Sequence, residues 1–290
     1  MSICVCVLFQ SSTCTMYSPK ILLAMLALLY LSPVTNSVDV EAKVRKQLEE
    51  IENIDLVKNA TEILNWRDVV QRKAIPYMRD CEEMFQAGHT ESGLYIIRPV
   101  STRKLVVQCY MDGCNGWTVI QQNTINTEIT WSEDWTTYKY GFGNLEADHW
   151  LGTEYIRLIT EQKWYKVRIN LVDADGAHKY AAYDSFVVDS EENGYALKLG
   201  TYEGNAGDSL SNSGLKNIHD NMRFSCRDHD NDRSSLYNCA DQHGGGWWYD
   251  NCFNAQLNAK GSIHWSTLCQ QNCRKSIILL RPVHMFCNRV

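Results

Sequence analysis

Nine cysteines that follow an eleven-residue apolar run constrain this chain more than any other feature. Of its 12 cysteines, Cys4, Cys6 and Cys14 precede the run 21–31 (ILLAMLALLYL); Cys81, Cys109, Cys114, Cys226, Cys239, Cys252, Cys269, Cys273 and Cys287 follow it. Lys20 stands before the run and the small polar stretch 32–37 after it, the order of a secretory leader. A bilayer span needs about 20 apolar residues, so the run reads as a leader rather than an anchor. Residues 1–37 are therefore expected to be removed, with translation starting at Met1 or at Met16. The remaining chain is expected to be secreted, into a compartment where disulfides persist. Asn59-Ala60-Thr61 is an Asn-x-Thr acceptor, which makes Asn59 a candidate glycosylation site.

The balance of 28 basic against 34 acidic residues gives a net charge of −6, and 44 % of residues are hydrophobic. That composition excludes a disordered tail and a broadly basic nucleic-acid binder. A length of 290 residues accommodates one large domain with an appendage, or two ordinary domains. Residues 38–78 form the appendage. They are charged and lack Gly and Cys, with Val44, Leu48, Ile51 and Ile54 at helical spacing, and Pro76 stops the pattern. This reads as an amphipathic stalk helix, solvated, folded back, or pairing chains into a homo-oligomer.

Residues 79–290 read as the globular domain. Residues 94–97, 105–107 and 117–120 have strand character. Residues 165–172 alternate apolar and polar, then turn at Asp175-Gly176 into 179–183, a hairpin. Helices are expected at 132–138 and 149–160. From 200 to 258 the chain is mostly Gly, Asn, Asp and Ser with isolated aromatics, and such long irregular segments need metal, disulfides or function to justify them. The fold class is therefore α+β.

The strongest chemical signal is Arg227-Asp228-His229-Asp230-Asn231-Asp232. Alternating carboxylates repel one another, and a hard cation with oxygen ligands relieves the repulsion. An EF-hand is excluded, because Arg233 and Cys239 occupy the positions of its Gly and Glu. A different calcium loop and a solvated acidic turn both remain open. Asp173 and Asp175 belong to the hairpin turn. Gly244-Gly245-Gly246 runs into Trp247-Trp248, where a phosphate loop needs Lys and Ser or Thr. Cys269 and Cys273 read as disulfide-bonding cysteines, with no partner assigned to either, rather than as half a zinc site. No nucleophile–base motif supports an enzyme.

Taken in order, these pieces resemble the fibrinogen C-terminal domain family. The resemblance is carried by Asp80-Cys81, Gly88 and Ser92 through Pro99; by Cys109-Tyr110-Met111-Asp112 and Gly116 through Gln122; and by Trp135, Tyr138, Gly141 through Asn144, and Trp150-Leu151-Gly152. It continues through Tyr180 to Tyr183 with Phe186, Ala206 to Leu210, Met222 to Ser225, the 228–232 loop, Asn238-Cys239-Ala240, Gly246 to Tyr249, Cys252 and Leu280-Arg281-Pro282. It implies a twisted, mainly antiparallel sheet with short helices and a long irregular subdomain that carries calcium and a ligand pocket. It also implies disulfides Cys81–Cys109 and Cys239–Cys252. Calcium would sit on the Asp230 and Asp232 side chains, with the Ser234 and Leu236 carbonyls completing the shell.

Five cysteines lie outside that disulfide pattern, and Cys287 is nominated as the intermolecular link. Beside Cys252, the family carries a pocket for acetylated sugars or partner peptides, shaped by a cis peptide that corresponds here to Asn251–Cys252. Tyr249, Asn251, Cys252, Phe253 and Trp265 are the candidate pocket residues. Phe253 replaces a frequent His, and Gly261 replaces a lining Tyr. These departures favour a soluble ligand for a receptor or other extracellular protein. The alternative is a lectin-like innate-immune protein reading acetylated glycans.

Overall fold

The computed structural model describes residues 3–5, 15–17, 77–100, 103–212 and 216–283. The leader run, the stalk up to residue 76, Asn59 and Cys287 lie outside the described residues. The chain divides into two compact units, Met1–Ala74 and Ile75–Val290. In the first, β1 (Ile3–Val5) pairs antiparallel with β2 (Thr15–Tyr17).

The second unit is built on one sheet. Its first strands are β3 (Gly93–Ile97), β4 (Leu105–Met111) and β5 (Gly116–Thr124), followed by the short β6 (Phe142–Gly143) and β7 (His149–Trp150). Then come β8 (Tyr165–Val172), β9 (His178–Tyr183), β10 (Phe186–Val188), β11 (Leu197–Leu199) and β12 (Tyr202–Gly204). The last are β13 (Ala255–Gln256), β14 (His264–Trp265) and β15 (Lys275–Pro282). The sheet runs β12-β9-β8-β15-β5-β4-β3, with β7 and β6 attached beside β5; β10-β11 and β13-β14 are separate pairs. Every strand pairing is antiparallel.

Alternation in β8 explains its place. Tyr165, Val167, Ile169 and Leu171 are buried, while the intervening residues reach the other face. Strand β15 arrives last in the chain yet enters the middle, with Ile278 opposite both Ile169 and Gln121. Closing the sheet thus requires the two ends of the domain to meet, which makes the fold rich in non-local contacts.

The helices are short: α1 (Cys81–Gln86), α2 (Trp135–Tyr140), α3 (Thr153–Glu161) and α4 (Cys239–His243). Asp134 caps α2 by accepting from Thr137 N–H at 2.8 Å, so that helix starts three residues later than the pattern suggests. The expected helix over 149–160 is also corrected. His149 and Trp150 are strand, and α3 begins only after Gly152, whose φ of +116° takes the chain out of strand geometry. On the inner face Ile156 and Ile159 join a core centred on Trp150, Phe224 and Trp248, with Phe224 at 5.9 Å from Trp150 and 5.4 Å from Trp248. Each such side chain contributes roughly 1.5–3 kcal/mol on burial.

A candidate recognition loop held by a disulfide and a buried histidine

The chain from 216 to 274 contains only the five-residue helix α4 and the pair β13-β14, so its order has to come from elsewhere. Part comes from disulfides: the structure joins Cys81 to Cys109, Cys239 to Cys252 and Cys269 to Cys273. Cys114 is also disulfide-bonded. Cys226 carries the free thiol among the described residues; it is buried, and its Sγ lies 3.2 Å from Asp228 Oδ1. Burial and the adjacent carboxylate push that thiol up, away from the reactive thiolate.

A second contribution comes from His219, which carried no signal in the sequence. Its ring is fully buried. Nδ1 lies 2.7 Å from Trp248 O, and a carbonyl can only accept, so Nδ1 holds the proton. Nε2 then accepts from Asn254 N–H at 3.1 Å and Ala255 N–H at 2.9 Å. One neutral imidazole thus ties the segment after Cys252 to the Trp247-Trp248 strip, and burial lowers its pKa to about 4. Gly245 supplies the close approach opposite, since a Cβ there would collide with the Asn258 carbonyl.

The acidic loop is tied to the Cys239 end of the disulfide. Asp232 accepts from Ser234 N–H at 2.8 Å and Cys239 N–H at 2.7 Å, and Asp230 accepts from Asp232 N–H at 3.2 Å. Burial, with the Asp230 charge as a further cause, pushes the Asp232 carboxyl up, a repulsion that a bound cation would reverse. Asp228 is not part of this pair, because its Oδ1 accepts from Trp135 N–H at 2.8 Å. Arg233 links the loop to the pocket side, donating from Nε to Asp250 Oδ1 at 2.6 Å. Among the described residues no group of three His, Cys, Asp or Glu side chains surrounds one point. The donors that these contacts bring together are the Asp230 and Asp232 carboxylates. That oxygen-only set fits a hard cation, and Leu236 holds its side chain out in solvent at 85 % exposure.

The five candidate pocket residues separate into two groups. Tyr249 and Trp265 are fully buried, so neither side chain lines a pocket open to solvent. Their polar tips are used internally, Tyr249 Oη donating to Gly245 O at 2.7 Å and Trp265 Nε1 to Gly207 O at 2.9 Å. Cys252 is buried in its disulfide as well, whereas Asn251 is exposed and Phe253 half-buried, and the Asn251–Cys252 peptide is cis. Phe253 packs edge-to-face against His243 at 4.8 Å and His264 at 5.2 Å, with Tyr249 behind it at 6.1 Å. The two half-buried histidines were not singled out in the sequence, because they stand 21 positions apart and meet only through Phe253. Burial lowers the pKa of both, keeping them neutral and able to donate or accept near neutral pH.

A model of the C-terminal globular domain of the fibrinogen beta and gamma chains matches residues 77–275, which hold the loop region and the strands β3 to β14 and reach the first residue of β15. The chain belongs to the fibrinogen C-terminal domain family. It is 47 % identical over 215 residues to a chicken fibrinogen-like protein 1-like protein, covering 72 % of this chain and 75 % of the relative. Among solved structures, it is similar to the fibrinogen-like globe domain of human ANGPTL2, with a TM-score of 0.66 and 33 % identity over 71 % of this chain and 99 % of that one. It is also similar to a lamprey fibrin D-dimer complexed with the peptide Gly-His-Arg-Pro-amide, with a TM-score of 0.67 and 27 % identity over 92 % and 94 % of the two chains. Membership accounts for the mostly antiparallel sheet with few short helices and makes this chain one of the fibrinogen-like ligand-binding proteins. No helix among the described residues is long and apolar enough to cross a membrane.

Proposed function

We propose that this chain is a secreted recognition protein that binds a receptor or other extracellular protein through the loop around the Cys239–Cys252 disulfide, with calcium stabilising that loop. The carrying observation is the Phe253 ring, half-exposed between His243 and His264 beside the disulfide and the exposed Asn251. An aromatic edge flanked by neutral donor–acceptor groups on a braced backbone suits a protein or peptide side chain. The peptide complex of the lamprey relative supports the same class of ligand. The glycan reading loses support, because Tyr249 and Trp265, the remaining aromatics for an acetyl pocket, belong to the core.

Calcium would be held by Asp230 and Asp232 with the carbonyls of Ser234 and Leu236. It would supply charge neutralisation and order rather than chemistry. At 100 times its dissociation constant, calcium is expected to add about 2.7 kcal/mol of stability to the protein and none to the Asp230→Ala, Asp232→Ala double variant. Equal melting temperatures with and without a chelator would remove calcium from the proposal.

The binding role is tested by screening the secreted protein against a panel of receptor ectodomains in calcium. A specific binder whose affinity drops at least tenfold on Phe253→Ala, at unchanged melting temperature, is the expected result. Retention only on an acetylated-sugar resin would overturn the protein-ligand reading in favour of a lectin.

A further inference from the structure

On the face of the sheet turned away from the Trp150–Phe224 core, strand register sets three cations side by side. Arg281 on β15 stands directly opposite Lys166 on β8, and Leu279, two residues before Arg281, stands opposite Arg168. Alternation puts Lys166 and Arg168 on the side of β8 away from the buried Val167 and Ile169. From strand spacing and rise, the three side chains leave the backbone within roughly 8 Å of one another. Trp117 on β5 lies under two of them, its ring centre 5.2 Å from the Arg281 guanidinium and 5.6 Å from Lys166 Nζ. Arg168 is held separately, 4.6 Å over the Tyr180 ring with its Nε donating to Asn170 Oδ1 at 2.9 Å.

Like charges directly opposite on neighbouring strands cost stability, so folding does not ask for this arrangement. Burial, with the Arg281 charge next, lowers the Lys166 pKa. Arg281 is only 8 % exposed, and its buried Nε has no hydrogen-bond partner among the described residues. A buried donor left unpaired is expensive, and the guanidinium gains from an anion that reaches it. The carboxylates nearby do not fill that role. The cluster feels Asp112, Glu203 and Glu82, but none of the three cations forms an ion pair among the described residues. Asp112 accepts from Trp117 Nε1 at 2.9 Å and from the Cys114 and Asn115 N–H groups, and Glu82 accepts from Gly116 N–H at 2.8 Å.

The surroundings select the kind of anion. Val119 and Leu279, between the cations and the edge strands, are buried, while the exposed Leu94, Ile96 and Val106 stand on β3 and β4, two or more strands from β15. An acidic protein segment would therefore find no apolar surface beside the charges. What lies open there is aromatic. Tyr110, paired with Trp117, is 47 % exposed. Trp164, whose carbonyl accepts from Val283 N–H at 2.9 Å where β8 begins and β15 ends, is 74 % exposed. Sugar rings lay their C–H faces on aromatic rings, which offer area with a polar edge. Closely set guanidinium and ammonium groups take sulfate oxygens.

We propose that this face binds a sulfated polysaccharide, its sulfate groups on Lys166, Arg168 and Arg281 and its sugar rings against Tyr110 and Trp164. The site goes beyond the recognition loop and does not rest on it.

The test titrates the whole chain with a heparin oligosaccharide, with the same oligosaccharide stripped of sulfate and polyglutamate as parallel arms. Heparin is expected to bind more tightly than either and to weaken as salt rises. It is expected to lose at least tenfold in affinity in the Lys166→Gln, Arg168→Gln, Arg281→Gln variant, at a melting temperature no lower than that of the native protein. Lys179→Gln removes a cation whose register partner is the buried Leu171, and Phe253→Ala alters the recognition loop; both are expected to leave heparin binding unchanged. Should the triple variant misfold, acetylation of Lys166 in the unaltered protein is expected to slow when heparin is present, while that of the exposed Lys260 proceeds as before. Heparin binding indifferent to the three cations, unprotected Lys166, equal binding of the desulfated oligosaccharide, or tighter binding of polyglutamate overturns the proposal; the last result assigns the face to an acidic protein.

Discussion

The sheet and the loop region after it are ordered by different physics. In β8 every second residue is buried, and strand order follows from apolar alternation and backbone pairing. Between 216 and 274 almost no such pattern exists, and the backbone is held by the Cys239–Cys252 bond, the His219 hydrogen bonds and the Arg233–Asp250 pair. A region stabilised by a few specific polar and covalent links can present irregular backbone to a ligand. It is also vulnerable at each of those links.

The largest expected effect falls on the sheet. Ile169 is buried on β8 between Ala181 on β9 and Ile278 on β15, so Ile169→Ala should cost about 2–5 kcal/mol and lower the whole unfolding transition. Denaturant melts followed by far-ultraviolet circular dichroism and by tryptophan fluorescence should move together. If they separate, the sheet and the loop region do not unfold as one.

Next comes acid. His219 is neutral in the folded protein with a pKa near 4, while the unfolded chain protonates at the ordinary histidine value of about 6.5. The unfolded state therefore binds more protons between those values. Stability from this group is full above about pH 6.5, declines as the pH falls, and stops declining near pH 4, a total of about 3 kcal/mol. Comparing the slope of unfolding free energy against pH for the native protein and His219→Asn checks this. Equal slopes from pH 4.5 to 6.5 would show that the ring is not the titrating link.

Removing the Cys239–Cys252 bond by double serine substitution should cost about 3 kcal/mol or less for its short loop. Hydrogen exchange is expected to rise around Asp250, Phe253 and Ala255 while β8 and β15 stay protected. Uniform loss of protection would erase the distinction between the two regions. The smallest effect is expected at Asp134→Ala, which removes the α2 cap and should cost about 1 kcal/mol by chemical denaturation. A change below 0.3 kcal/mol would mean that tertiary packing alone fixes that helix end.

The sequence by itself determined β3, β4, β5, β8 and β9, because their apolar pattern is local: residues 165–172 and the Asp175-Gly176 turn read correctly without any knowledge of their partners, whereas β15, at the middle of the sheet, was not read as a strand. It also held the ordered set of residues that marks the fibrinogen C-terminal fold, including both expected cysteine pairs, which the structure joins. Helix starts were less legible, since Gly152 and the Asp134 cap shift them by a few residues against the apolar pattern. What only the tertiary structure decided is which aromatics of the irregular region face water. Tyr249, Phe253 and Trp265 look alike in sequence, yet Gly245 O and Gly207 O draw two of them inside and leave Phe253 at the surface. His219 meets its partners 29 and 35–36 residues away. Such contacts have no period to read, because they come from where distant backbone groups happen to be left needing a hydrogen bond.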